Sequence, residues 1–138
     1  VPSPFYRKKG KFMEENKMIN HRFYRENAPF PNNRLISFSK RFVDGEGKPI
    51  HWEIKSLCQR EQEGILQDCK QKERNGKRSF NMTEYEGLLL GKSVIFPDLD
   101  DVVLQDSYGV FGARGLLEKM LTAGEYQELL LQAMDISR

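Results

Sequence analysis

The stretch "RLISFSKRFVDGEGKPIHWEIKSL", residues 34–57, decides the fold class. Ile36, Phe38 and Phe42 share one side of an alternating pattern. Further on, Ile50, Trp52 and Ile54 share a side, with His51 and Glu53 opposite. A period of two marks strands that bury one face. Between them "VDGEGKP" supplies turn chemistry, because Gly45 and Gly47 accept positive φ and Pro49 suits the start of a returning strand. The pattern predicts a β-hairpin over residues 34–55 with one apolar side. A lone hairpin is marginal, so that side must lie against other elements.

Those elements read as helices. In "SLCQREQEGILQDCKQKE", Ser56 is placed to cap, and Leu57, Cys58, Ile65, Leu66 and Cys69 form an apolar stripe. "RNGKRS" breaks the pattern. In "NMTEYEGLLLGKSVIF", Asn81 and Glu84 have capping-box spacing. Tyr85, Leu88, Leu89 and Val94 to Phe96 are the expected buried residues, and Pro97 ends the helix. "VFGARGLLEKML" puts Val110, Ala113, Leu117 and Met120 at helical spacing, widened by Leu116 and Leu121. "TAGEYQELLLQAMDIS" restarts at a second capping box, Thr122 with Glu125, and turns Tyr126, Leu129, Leu130, Ala133 and Met134 inward. The expected fold is α+β, mainly α: an N-terminal hairpin packed on a bundle of about four short helices (56–136), in one globular domain over 34–138.

A chain of 138 residues suffices for one modest core. Its 38% apolar and 30% charged composition is that of an ordinary soluble domain. A net charge of +2 does not by itself imply nucleic acid, although the basic residues gather early, in "YRKKGKF" and "HRFYREN". No apolar run approaches the roughly 20 residues that span a bilayer, and the start has no signal-peptide core. Cys58 and Cys69, on one expected helix, would stand about 16 Å apart, too far to bridge. Residues 1–33, with "ENAPFPNN" and no periodicity, read as a flexible leader. The pair Lys9–Gly10 can be encoded by purine-rich codons that resemble a bacterial ribosome-binding sequence, which suggests a start at Met13 or Met18 with residues 1–12 as upstream sequence; a start at residue 1 is the alternative.

Four acids, Asp98, Asp100, Asp101 and Asp106, raise the question of a metal or catalytic site. "DLDD" lacks the glycine turn and closing glutamate of a calcium loop. Helix punctuation explains it: Asp98 as a cap, Asp100 and Asp101 complementing the dipole of a first turn. His21 and His51 have no metal-ligand spacing to each other or to the cysteines. Ser107 in "DSYG" lacks a nucleophile elbow. Gly109, Gly112 and Gly115 make no phosphate fingerprint. The basic, aromatic leader (Phe5, Tyr6, Phe23, Tyr24) has the composition of a nucleic-acid arm, but a solvated tail explains it with fewer assumptions. No cofactor, metal or catalytic group is expected.

The order "GEGKPIHWEIKSL", "EGILQDC" and "SVIFPDLDDVVLQDSYGVFGARGLLEKMLTAGEYQEL" resembles the XkdN-like tail assembly chaperones of long-tailed phages and prophages of Gram-positive bacteria, over residues 35–134. The most specific portions are "FPDL", "LQDSYGV-GA" and "GEY". The resemblance implies a non-enzymatic helper of tail morphogenesis. It would bind the aggregation-prone tape measure protein in the host cytoplasm, with the tail tube protein as a further partner, and be absent from the finished virion. Relatives include longer, frameshifted products. The leader matches nothing in the family pattern, and the chain stops at "AMDISR" where relatives continue with a short acidic tail.

A chaperone for a long client needs an apolar surface with a charged surround. Leu116, Leu117, Met120, Leu121, Leu129, Leu130, Leu131 and Met134 nearly encircle the last two helices, so either some face a partner or a second copy, or all belong to the core, since small domains often need every such residue. Met120 and Met134 suit an adaptable surface. The expected partner-binding set is Tyr108, Phe111, Leu116, Leu117, Met120, Leu121, Leu130 and Met134. A structural head–tail or tail completion protein is the alternative function.

Overall fold

The alternation at residues 34–57 does produce a hairpin, broken into two short ladders. In the computed structural model, which describes residues 19–71 and 81–138, strand β1 (Arg34–Ile36) pairs antiparallel with β2 (Trp52–Ile54), Ile36 opposite Trp52. Pairing resumes only at the Val43–Pro49 bridge. Between them the Ser39 hydroxyl accepts from the Arg41 N–H at 3.2 Å, a local bond that competes with the ladder and bends the chain. The Asp44 carboxylate shapes the turn by accepting from the N–H groups of Glu46 and Lys48, at 2.8 and 3.0 Å. Of the two turn glycines, it is Gly47 that takes positive φ, at 80°.

A third strand departs from the expected helix through Phe96. Helix α2 (Met82–Ser93) stops three residues earlier, and β3 (Val94–Phe96) pairs antiparallel with β2, which becomes the central strand. The β-branched Val94 and Ile95 favour extended backbone, and Pro97 disfavours helix at Phe96. Val94 is buried as expected, whereas Ile95 and Phe96 are exposed.

Helix α1 (Gln59–Gln71) begins three residues beyond the anticipated cap. Ser56 instead donates its hydroxyl to the Ile136 carbonyl at 2.7 Å, and the Leu57 N–H donates to Ser137 Oγ at 2.9 Å. Cys58 is therefore exposed ahead of the helix rather than in the stripe; Ile65 and Cys69 are buried as expected. Asn81 caps α2, its side chain accepting from the Glu84 N–H. This helix packs on α1, α4 (Ala113–Met120), α5 (Ala123–Ile136) and β3, burying Gly87, Leu89, Leu90 and Ser93. The short α3 (Val102–Ser107) precedes α4. Thr122 and Glu125 form both halves of the expected capping box at the start of α5.

One core joins sheet and helices: Ile36, Trp52 and Ile54 pack with Leu90, Leu116, Leu117, Leu129 and Ala133. Phe38 and Phe42 flank the Trp52 ring, centroids 5.0 and 5.8 Å away. The fold class is α+β, mainly α.

The chain divides into two units, Val1–Pro31 and Asn32–Arg138. In the first, a 3-10 turn at His21–Phe23 is held by Asn27, whose Nδ2 donates to the His21 carbonyl at 2.9 Å. The expectations for residues 1–18, including starts at Met13 or Met18, and for "RNGKRS" at 74–79, lie outside the described residues.

Candidate functional site

Two of the four aspartates, Asp98 and Asp101, serve backbone geometry. Asp101, not Asp98, is the N-cap of α3, its carboxylate accepting from the Val103 and Leu104 N–H groups at 2.9 and 3.4 Å. Asp98 sits earlier, accepting from the Asp100 N–H at 3.0 Å in a tight turn. Among the described residues, no group of three or more His, Cys, Asp or Glu is arranged to hold a metal ion. His51 is exposed, one residue ahead of β2.

The loop carrying these acids is held by Gln105, a residue with no obvious signal in the sequence. Its side chain is buried. Nε2 donates to the Leu99 carbonyl at 2.8 Å, and Oε1 accepts from the Gly112 N–H at 3.1 Å. Gly112 has φ of 92°, which a side chain would strain, and it admits the chain into α4. One glutamine thus ties both ends of the segment from 99 to 112.

Beside this segment lies an apolar groove of about 180 Å³. Its walls are Phe42, Ile50 and Trp52 from the hairpin, Phe96 and Pro97 after β3, Leu104 and Tyr108 from the α3 region, and Met120 at the end of α4. Pockets for small ligands typically run to roughly 300–1,000 Å³, so this one fits an inserted side chain better than a cofactor. Of its walls Phe96 is 50% exposed, and in the segment that supplies Leu104 and Tyr108, Val103 is 77% and Phe111 99% exposed.

Of the eight residues expected to meet a partner, Tyr108 and Met120 come together in the groove. Phe111 and Met134 are exposed, at separate places on the chain. Leu116, Leu117, Leu121 and Leu130 are corrected: all four are buried in the chain's own core, because α2 packs against both of their helices. Met120 too is largely buried, exposing little beyond its place in the groove wall. Six wall residues were missed, namely Phe42, Ile50, Trp52, Phe96, Pro97 and Leu104. Five are apolar side chains that by pattern alone read as core; the extended bias before Pro97 was the available signal that Phe96 leaves the helix.

Arg41 stands above Phe42, its guanidinium 4.9 Å from the ring centre. It also grips Glu125, with Nε to Oε2 at 3.1 Å and a second, shorter contact from Nη2 to Oε1, and it donates to the Met120 carbonyl at 2.8 Å. That hydrogen bonding holds the Glu125 carboxyl well below its ordinary value, at about 2, against the opposing effect of burial.

Three comparisons bear on this arrangement. The family model for the XkdN-like phage tail assembly chaperones matches residues 11–137, and so takes in part of the leader expected to match nothing. The fold is similar to the crystal structure of the protein YqbN, with a TM-score of 0.73 over 84% of this chain and 92% of that one, at 17% identity. Comparison with curated proteins gives no match. With nearly its whole length matched by that model, the chain belongs to the XkdN-like family of phage tail assembly chaperones, and its role is that of a tail assembly chaperone.

Proposed function

We propose that the protein binds the phage tape measure protein stoichiometrically during tail assembly and keeps it soluble, without catalysis. The observation that carries this reading is the open apolar groove, of whose walls Phe96 is half exposed, together with the segment from 99 to 112 that Gln105 holds in shape and that exposes Val103 and Phe111. A rigid loop presenting apolar side chains loses little entropy when it captures a partner. Such exposure on a small domain is a liability unless a partner covers it. The chaperone would act in the host cytoplasm and leave before the virion is complete, with the tail tube protein as a further contact.

Co-expression with the tape measure protein of the same genome tests the reading. The expected result is a larger soluble fraction of tape measure protein and a co-purifying complex. Unchanged solubility with no complex would overturn it. Mass spectrometry of purified particles separates it from a structural head–tail or tail completion role: the chaperone should be absent, and stoichiometric incorporation would favour the structural role.

A further inference from the structure

We infer that the groove and its rim recognise a basic, amphipathic segment of the client, one that inserts apolar side chains while its cations face the aspartates. This deepens the client-binding reading above and rests on it. The segment that supplies Phe96, Pro97, Leu104 and Tyr108 to the groove is one-sided in charge. Between Lys92 and Arg114 the chain carries Asp98, Asp100, Asp101 and Asp106 and not one lysine, arginine or histidine. All four are exposed, and none of them joins an ion pair among the described residues. Arg41, the cation stacked on the groove's Phe42, has its charge committed to Glu125. Among the described residues no ion pair offsets these four charges, and the low-dielectric apolar wall beside them strengthens the attraction for a cation.

The apolar component runs along the same segment. Phe96, Val102 and Val103 are exposed, and Leu104 of the same short helix turns into the groove. The two chemistries thus alternate within one stretch, Phe96 to Asp106. A partner helix with apolar residues on one stripe and lysine or arginine beside it satisfies both. An acidic partner would meet like charge, and a purely polar one would leave the groove unfilled. A second copy of this chain fits less well, because it would bring the same aspartates against themselves.

The test uses the full chain and short model peptides in fluorescence anisotropy. One peptide alternates lysine and leucine at helical spacing; a second replaces each lysine by glutamate; a third keeps the lysines and replaces each leucine by serine. The lysine–leucine peptide alone should bind, more weakly as salt is raised. Phe96→Ser with Val103→Ser should weaken it about tenfold. Asp98→Asn with Asp100→Asn and Asp106→Asn, which spares the Asp101 cap, should weaken it several-fold and flatten its salt dependence. Circular dichroism and urea midpoints confirm that both variants remain folded, as exposed positions allow.

Equal binding of the glutamate–leucine peptide, or wild-type affinity in either folded variant, would overturn the inference. So would a wild-type dimer that Phe96→Ser with Val103→Ser converts to monomer, since the groove would then belong to a second copy. Peptide binding that behaves as expected, alongside failed tape measure co-expression, would sustain the groove chemistry and remove the proposed client. Successful co-expression with no selective peptide binding would do the reverse.

Discussion

Arg41 of the hairpin holds Glu125 of α5, and through it the turn that joins α4 to α5. The same carboxylate that receives the guanidinium accepts from the Thr122 N–H at 2.9 Å, completing the capping box. One residue therefore serves as helix cap and as the link between sheet and bundle. The Met120 carbonyl, which ends α4, is bound by the same guanidinium.

This linkage predicts an acid sensitivity with a definite sign. The folded Glu125 carboxyl titrates at about 2, below its ordinary 4.5. Its contribution to stability is therefore complete above about pH 4.5 and declines as pH falls toward 2. Urea midpoints measured across that window should fall more steeply for the wild type than for Arg41→Ala, which lacks the partner. Parallel curves would show that the pair contributes nothing.

Two glycines of α2 should respond differently to alanine. At Gly87 an added Cβ would stand 2.8 Å from Arg114 Cγ and 2.9 Å from Cδ, whereas at Gly91 the nearest neighbour is the Ala113 Cβ at an ordinary 3.9 Å. Gly91→Ala should stabilise by up to about 1 kcal/mol through helix propensity. Gly87→Ala should fall short of that gain and recover it in an Arg114→Ala background. Identical thermal shifts at both sites would contradict the overlap.

Gln105→Ala strands the Leu99 carbonyl and the Gly112 N–H in a buried place, so a loss of about 1–3 kcal/mol is expected. Hydrogen exchange should increase across residues 99–112 in particular. An unchanged exchange pattern would show that the loop is held by something else.

Because Asp101 caps α3, Asp101→Ala should cost about 1 kcal/mol while Asp101→Asn costs little. Added calcium or magnesium should leave the unfolding midpoint where it was. A cation-dependent rise would point to binding of the ion by the native state.

The leucines of α4 and α5 divide sharply. Leu117 and Leu129 are fully buried, so alanine there should cost roughly 2–5 kcal/mol. Leu131 is exposed, and alanine there should stay within about 0.5 kcal/mol. Chemical denaturation of the three variants checks the ranking.

Local signals in the chain were legible where the responsible atoms are neighbours in sequence. Asn81 caps a helix, Thr122 and Glu125 close a capping box, and Trp52 and Ile54 turn inward from one strand, because each depends on spacing of a few residues. The hairpin's interruption at Ser39 was not visible, since alternation in "LISFSKRF" continues through the bend. At "VIFP" the same apolar run fits the end of a helix or a short strand, and the proline was read as a stop rather than as a bias toward extension.

By itself the sequence determined that a hairpin precedes helices and which turns start α2 and α5. Only the tertiary structure decided that Val94 to Phe96 completes a sheet, and that Leu116 and Leu117 lie inside while Leu131 and Phe111 remain outside. It alone gathered Phe42, Trp52, Phe96 and Tyr108 around one groove. Caps and turns are settled by bonds between close neighbours along the chain. Burial is settled by which distant surface arrives opposite, and an apolar stripe is equally suited to a core or to a partner until that surface is in place.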